Sequence, residues 1–133
     1  LDDFCKIIED KNKTNKENPI KVHIETSGVN NISGAFDWIT LSPKRHKPPT
    51  EYFLSQSDEI KIIINDKKDI EFARDIRKKI RNIETTKNYI NGKKFFIQPA
   101  WDSQKGLELA IEFAKTNPNW SLSLQTHKYL SIQ

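Results

Sequence analysis

Five polar clusters in this 133-residue chain hold the groups that could do chemistry: Glu25-Thr26-Ser27-Gly28, Ser42-Pro43-Lys44, Asn65-Asp66, Gln98-Pro99-Ala100-Trp101 and Gln125-Thr126-His127-Lys128. Asn65 and Asp66 are accounted for by capping the helix that follows them. The others fit that role less well. A lysine behind a proline, as at Lys44, is unsuited to a helix N-terminus, whose dipole repels a cation; its ammonium suits a carboxylate or a sugar hydroxyl instead. Gln98 precedes a proline and is an equally poor cap, while its amide both donates to and accepts from a ribose hydroxyl or a purine edge. Trp101 can cover a planar ligand or pack as a core ring under the next helix. His127, one of three histidines, stands alone in its cluster, and a histidine so placed is found more often as a hydrogen-bonded structural residue than as a catalyst. The single cysteine, Cys5, excludes an internal disulfide and cannot alone hold zinc or an iron–sulfur cluster.

These clusters are expected at strand tips. Ile20–Thr26 alternates Val22 and Ile24 with polar residues; Phe36–Ser42 is aromatic and β-branched and stops at Pro43; Lys94–Gln98 is closed by Pro99; and Trp120–Gln125 alternates again. Ile60–Ile64 is a nearly continuous apolar run, the pattern of a strand buried on both faces. Helical spacing opens the chain with Phe4, Ile7 and Ile8, and predicts a helix to about Asp10 followed by a polar loop. It recurs in Ile70, Ala73, Ile76 and Ile80, to about Arg81 or Asn82, and in Leu107, Ala110, Ile111 and Ala114 behind an Asp102 or Ser103 cap. The stretch through Pro48 and Pro49 reads as a loop, and Pro118 rules out continuation of the last helix. The order is helix, strand, strand, strand, helix, strand, helix, strand, which points to a mostly parallel α/β sheet in a single domain, 1–133. Right-handed crossovers place the helices on one face if the sheet curves into a partial barrel, and on both if it is doubly wound. Ligands of such folds sit at the C-terminal strand ends, where these tips converge.

Composition narrows the function. The net charge is +4, but it comes mostly from lysines in a chain also rich in asparagine and isoleucine, so compositional bias explains it without a partner. Arg45, Arg74, Arg77 and Arg81 are few and lie mostly along one helix, which argues against a nucleic-acid reader. The alternative is a basic module that offers Lys78, Lys79 and Arg81 to RNA or an acidic protein. No Gly-rich phosphate loop is present, which disfavours an ordinary nucleotide site. No apolar run approaches the roughly 20 residues that span a bilayer, and no secretory leader precedes Leu1, so the expectation is a cytoplasmic protein without a membrane partner. Because the first residues already follow helical spacing, the chain is expected to open inside an element, with something upstream missing.

Taken in order, Leu1-Asp2-Asp3-Phe4-Cys5, Ile24-Glu25-Thr26-Ser27-Gly28, Leu41-Ser42-Pro43-Lys44, Ile97-Gln98-Pro99 and Leu122-Ser123-Leu124-Gln125-Thr126-His127-Lys128-Tyr129-Leu130 resemble the 7-carboxy-7-deazaguanine synthase family over essentially the whole chain. The resemblance implies the C-terminal part of a modified, incomplete (β/α) radical S-adenosylmethionine barrel. It implies a lyase that turns 6-carboxy-tetrahydropterin into 7-carboxy-7-deazaguanine with loss of ammonia, toward queuosine. S-adenosylmethionine, a 4Fe-4S cluster and Mg2+ would be the cofactors and a homodimer the assembly. Carried over by position, Ser42, Pro43 and Lys44, and Gln98, Pro99, Ala100 and Trp101, would contact S-adenosylmethionine. Gln133, if it is the true end, would reach the substrate through its terminal carboxylate. The family's three cluster cysteines, its Gly-Gly-Glu-Pro turn and its pterin-recognition segment are absent, so no metal ligand is expected here and the isolated chain is expected to be an inactive fragment. Ser27 stands where asparagine is usual, and Arg45 where proline is common.

Overall fold

A computed structural model describes residues 1–87 and 92–125. Helix α1 (Asp2–Thr14) is followed by strands β1 (His23–Thr26) and β2 (Trp38–Leu41), helix α2 (Glu51–Gln56) and strand β3 (Glu59–Ile64). Helix α3 (Lys67–Lys87), strand β4 (Lys94–Pro99), helix α4 (Gln104–Thr116) and strand β5 (Trp120–Leu122) complete the order. The strands form one sheet in the order β1-β2-β3-β4-β5, and every neighbouring pair is parallel. All five strands therefore end at the same edge, so loops far apart in sequence share one rim.

The core lies on one side of this sheet. Leu41, Ile60, Ile62, Ile64, Phe95 and Ile97 from the strands pack with Phe53 and Leu54 of α2, Ala73, Ile76 and Ile80 of α3, and Ala110 and Phe113 of α4. Burying such a branched side chain is worth about 1.5–3 kcal/mol, so this single cluster dominates the stability of the fold. Only alternate strand residues enter it. In β3, Ile60, Ile62 and Ile64 are buried whereas Lys61 and Ile63 stay partly exposed. The expectation that β3 is buried on both faces is thus corrected: its helices cover one face, and the other is partly polar and open, as in a partial barrel.

Other boundaries also move. The chain predicted to pair from Ile20 pairs only from His23, because side chains take up the preceding backbone: Asn12 Oδ1 accepts from Ile20 N–H at 2.7 Å and Asp37 Oδ2 accepts from Val22 N–H at 2.7 Å. The Asn12 amide also donates to Ile20 O at 2.9 Å, which draws α1 out to Thr14, past the predicted Asp10. Within α1 the buried residue is Cys5, and Phe4 and Ile7 are 52% and 56% exposed. Helix α3 runs to Lys87, beyond Arg81 and Asn82, and β5 stops at Leu122, short of Gln125. Helix α2 was not foreseen: it is only six residues long and follows directly on Pro48 and Pro49, so periodicity has too little length to register. Gly28, at φ +74°, turns the chain beneath it; its carbonyl accepts from Thr50 N–H at 2.9 Å, and a Cβ there would lie 2.6 Å from Leu41 Cδ1. Among the described residues no helix is long and apolar enough to cross a membrane.

Candidate functional site at the strand ends

The C-terminal strand ends and the open sheet face enclose a cleft of about 490 Å³. Ser42 and Gln98, each 6% exposed, form its floor, and Lys44, Lys61, Glu25, Ser123 and Gln125 complete the polar wall. These side chains reach one place because residues alternate across a strand: Leu41 and Ile97 enter the core, so Ser42 and Gln98, next to them, face away from it.

Hydrogen bonds set the cleft's chemistry. Ser123 Oγ donates to Gln98 Oε1 at 3.4 Å. Gln125 Oε1 is buried and has no hydrogen-bond partner among the described residues. A buried acceptor in that state costs about 1–3 kcal/mol unless a ligand or water supplies a donor. Lys61 Nζ pairs with Glu25 Oε1 at 2.7 Å, so the cleft carries one balanced pair and one further cation, Lys44.

The loop bearing Lys44 is fastened at two points. Lys47 N–H donates to Lys44 O at 3.2 Å, closing a short turn, and Arg45 Nη1 pairs with Asp66 at 2.9 Å and Asp69 at 3.4 Å. Asp66 in turn caps α3, its Oδ1 accepting from Lys68 N–H at 2.9 Å and Asp69 N–H at 3.2 Å, while Asp69 Oδ2 accepts from Asn65 and Asp66 N–H at 2.9 and 3.1 Å. The capping expected there is observed. Partial desolvation pulls the Asp66 carboxyl upward, but the Arg45 guanidinium and the two N–H donors outweigh it and hold the group below its ordinary value.

Of the residues singled out from sequence, Ser42, Lys44 and Gln98 meet in the cleft, and Pro43 and Pro99 are buried beside it. Ala100 and Trp101 do not join them. They line an adjoining hollow of about 270 Å³ with Pro99, Asp102 and Leu107, and Trp101 is 46% exposed, which overturns its reading as a core ring under α4. Gln133, Thr126, His127 and Lys128 lie outside the described residues. Sequence reasoning missed Lys61, whose signal was a lone charge inside an apolar strand. It also did not assign roles to Glu25, Ser123 and Gln125, although Glu25 and Gln125 stood in the strand-tip clusters.

The donor set tests what could be held. An adenosyl group needs hydroxyl, amide and cationic partners around a cleft of a few hundred Å3, and Ser42, Gln98, Gln125 and Lys44 fit that need. A cluster does not fit: Cys5 is the one cysteine of the sequence, and among the described residues no group of three or more His, Cys, Asp or Glu is placed to hold a metal.

Among the described residues a parallel sheet with α2, α3 and α4 on one face and a polar cleft at the strand C-termini defines an α/β fold of the partial-barrel type. No protein-family model matches the chain. Curated relatives do, among them 7-carboxy-7-deazaguanine synthases of several bacteria. That of Prochlorococcus marinus is 41% identical over 139 residues, covering 99% of this chain and 62% of the relative. That of Synechocystis is 36% identical over 91% of this chain and 54% of the relative, and that of Flavobacterium psychrophilum 38% over 88% and 52%. Among solved structures, QueE from Escherichia coli superposes with a TM-score of 0.62 at 25% identity, covering 85% of this chain and 48% of that one. The chain is a homologue of the 7-carboxy-7-deazaguanine synthases, as its motifs implied, and spans about half the length of the curated relatives it matches, which fits the expected C-terminal portion.

Proposed function

We propose that this chain supplies the adenosyl-binding half of a radical S-adenosylmethionine enzyme of the 7-carboxy-7-deazaguanine synthase type. The observation that carries the reading is the convergence of Ser42, Lys44, Gln98 and the unpartnered Gln125 carbonyl in one cleft at the strand ends. In this reading Gln98 and Gln125 recognise the adenosine by its hydroxyls and base edge. Lys44 answers the methionyl carboxylate, and Ser42, with Pro43 behind it, shapes the floor. Ala100 and Trp101, on the rim next door, flank the cofactor and shield it from water without lining the cleft. The terminal carboxylate at Gln133 is the proposed reach to a pterin substrate.

When bound with a 4Fe-4S cluster, S-adenosylmethionine supplies the radical chemistry of the family, and the protein positions it. Cluster ligands come from outside this chain's residues, so the polypeptide alone is inactive. Mg2+, a homodimeric assembly and a cytoplasmic location belong to the same proposal.

Calorimetric titration of the chain with S-adenosylmethionine tests the cleft. Saturable binding is expected, weakened about tenfold in Gln98→Ala or Lys44→Met, in line with losing one charged or buried polar partner. Heats that never saturate, or variants that bind as the parent does, would refute it. After iron and sulfide reconstitution the chain alone is expected to release no deoxyadenosine; robust release would overturn the assignment of the cluster ligands to another segment.

A further inference from the structure

The sheet has a second polar pocket, at the end remote from the mouth. It measures about 440 Å³ and is walled by Arg74, Arg77, Lys78 and Arg81 of α3 against Phe113 of α4 and Trp120 of β5. Trp120 opens its strand and α3 runs back along the sheet, so this pocket sits where the parallel strands begin.

Two of the cations are held in place by rings. Trp120 lies between Phe95 and Phe113, with centroids 5.1 and 5.5 Å away. The Arg77 guanidinium stands 4.3 Å from the Phe95 centroid and that of Arg74 5.5 Å from Phe113, both at cation–π distance. Each cation–π contact holds its guanidinium near a ring and so removes part of the rotamer freedom a ligand would otherwise have to freeze.

Among the described residues no carboxylate is ion-paired with these cations. The pocket wall contains no carboxylate, and none of Arg74, Arg77, Lys78 or Arg81 takes part in an ion pair among the described residues. Arg77 Nε is buried with no hydrogen-bond partner. Burial and the neighbouring Arg81 both work against the Arg77 charge, with Glu84 opposing them only in part. Ordinary solvated lysine faces have neither the ring contacts nor a buried, unanswered donor.

We propose that this pocket binds a phosphoryl group, presented as a phosphate ester or a free diphosphate, at a site separate from the strand-end cleft. Planar forks of N–H donors match tetrahedral phosphoryl oxygens two at a time, which a carboxylate-free, four-cation pocket is built to favour. The proposal does not depend on the function assigned to the mouth.

Titrating the chain with sodium pyrophosphate and, separately, with adenosine 5′-monophosphate, followed by calorimetry and tryptophan fluorescence, tests it. Saturable one-to-one binding of either is expected; tighter pyrophosphate assigns the free diphosphate, tighter monophosphate the ester. Arg77→Gln and Arg81→Gln should each weaken binding about tenfold, the loss typical of one charge-assisted bond, while Lys16→Gln, an equal charge change on a distant exposed loop, leaves it unaltered. Circular dichroism checks folding, and exposed Arg81 carries the test if the Arg77 variant unfolds. Absence of saturation, or equal losses in Lys16→Gln and Arg81→Gln, overturns the site. Tighter binding of a mixed-sequence RNA oligonucleotide, with affinity growing with its length, also overturns it, in favour of a nucleic-acid surface.

Discussion

Lys61 on β3 and Glu25 on β1 meet at 2.7 Å across the face of the strand that separates them, β2. The pair is uneven, since the Lys61 side chain is 20% exposed and that of Glu25 52%. Removing Lys61 leaves a carboxylate that water can reach, whereas removing Glu25 strands a largely covered ammonium. Lys61→Met is therefore expected to cost about 1 kcal/mol or less, as for exposed ion pairs, and Glu25→Gln about 1–3 kcal/mol. Urea denaturation of the two variants checks the order, and equal losses would contradict it.

Helix α4 follows β4 in the chain and starts against the C-terminal end of β3, and two residues shape that junction. Ser103 Oγ accepts from Gly106 N–H at 3.0 Å, so Ser103→Ala should destabilise by about 1 kcal/mol, a typical cap loss. Gly106 approaches so closely that an added Cβ would lie 2.3 Å from Ile64 O. Gly106→Ala is expected to cost more than the cap, about 1–3 kcal/mol through overpacking, despite alanine's better helix propensity. Thermal melts of both variants settle the ranking.

Lys93 anchors α2 to the sheet by donating to Ser55 O at 2.7 Å and to Ser57 O. Burial pushes its ammonium below the ordinary lysine value of 10.5, with Glu84 and Asp58 pulling the other way. In the window between the lowered folded value and 10.5 the unfolded chain binds more protons, so the titration favours folding as pH rises; this contribution is complete above 10.5 and is lost as pH falls through the folded value. Relative to Lys93→Met, the parent should gain stability on that alkaline climb. A flat difference across those pH values would count against the burial argument.

Asp66 carries the opposite sign of dependence. Held below its ordinary value of 3.8, it contributes stability that is present above 3.8 and disappears as pH falls through the folded value. Asp66→Asn should lie below the parent at neutral pH and converge with it in acid, and denaturation at a series of acidic pH values measures the convergence. The same variant leaves Arg45 only its longer pairing with Asp69, at 3.4 Å, so it should also loosen the Lys44 turn, visible as faster amide exchange at Lys47.

Much of the architecture was legible in the sequence, because local rules suffice for it. The 3.6-residue recurrence of Ile70, Ala73, Ile76 and Ile80 places α3 on its core face, Asp66 and Ser103 announce helix starts, and proline closes the strands at Pro43 and Pro99. The strand-tip clusters located the candidate mouth for the same reason, since parallel strands must end at one edge. Helix α2 was illegible: six residues behind two prolines are held by Phe53 and Leu54 entering a core that only distant strands create.

By itself, then, the chain determined its alternation of strands and helices, its parallel topology and its polar tips, because hydrophobic period, capping and proline act over a few residues. Only the tertiary structure decided that β3 shows a face to the cleft, that Lys61 finds Glu25 beyond β2, that Trp101 stands beside Gln98 rather than with it in the cleft, and that Arg74 stands over Phe113 and Arg77 over Phe95. Those relations depend on sheet curvature and on which faces meet across the core, and contacts between residues so far apart in sequence leave no periodic trace in it.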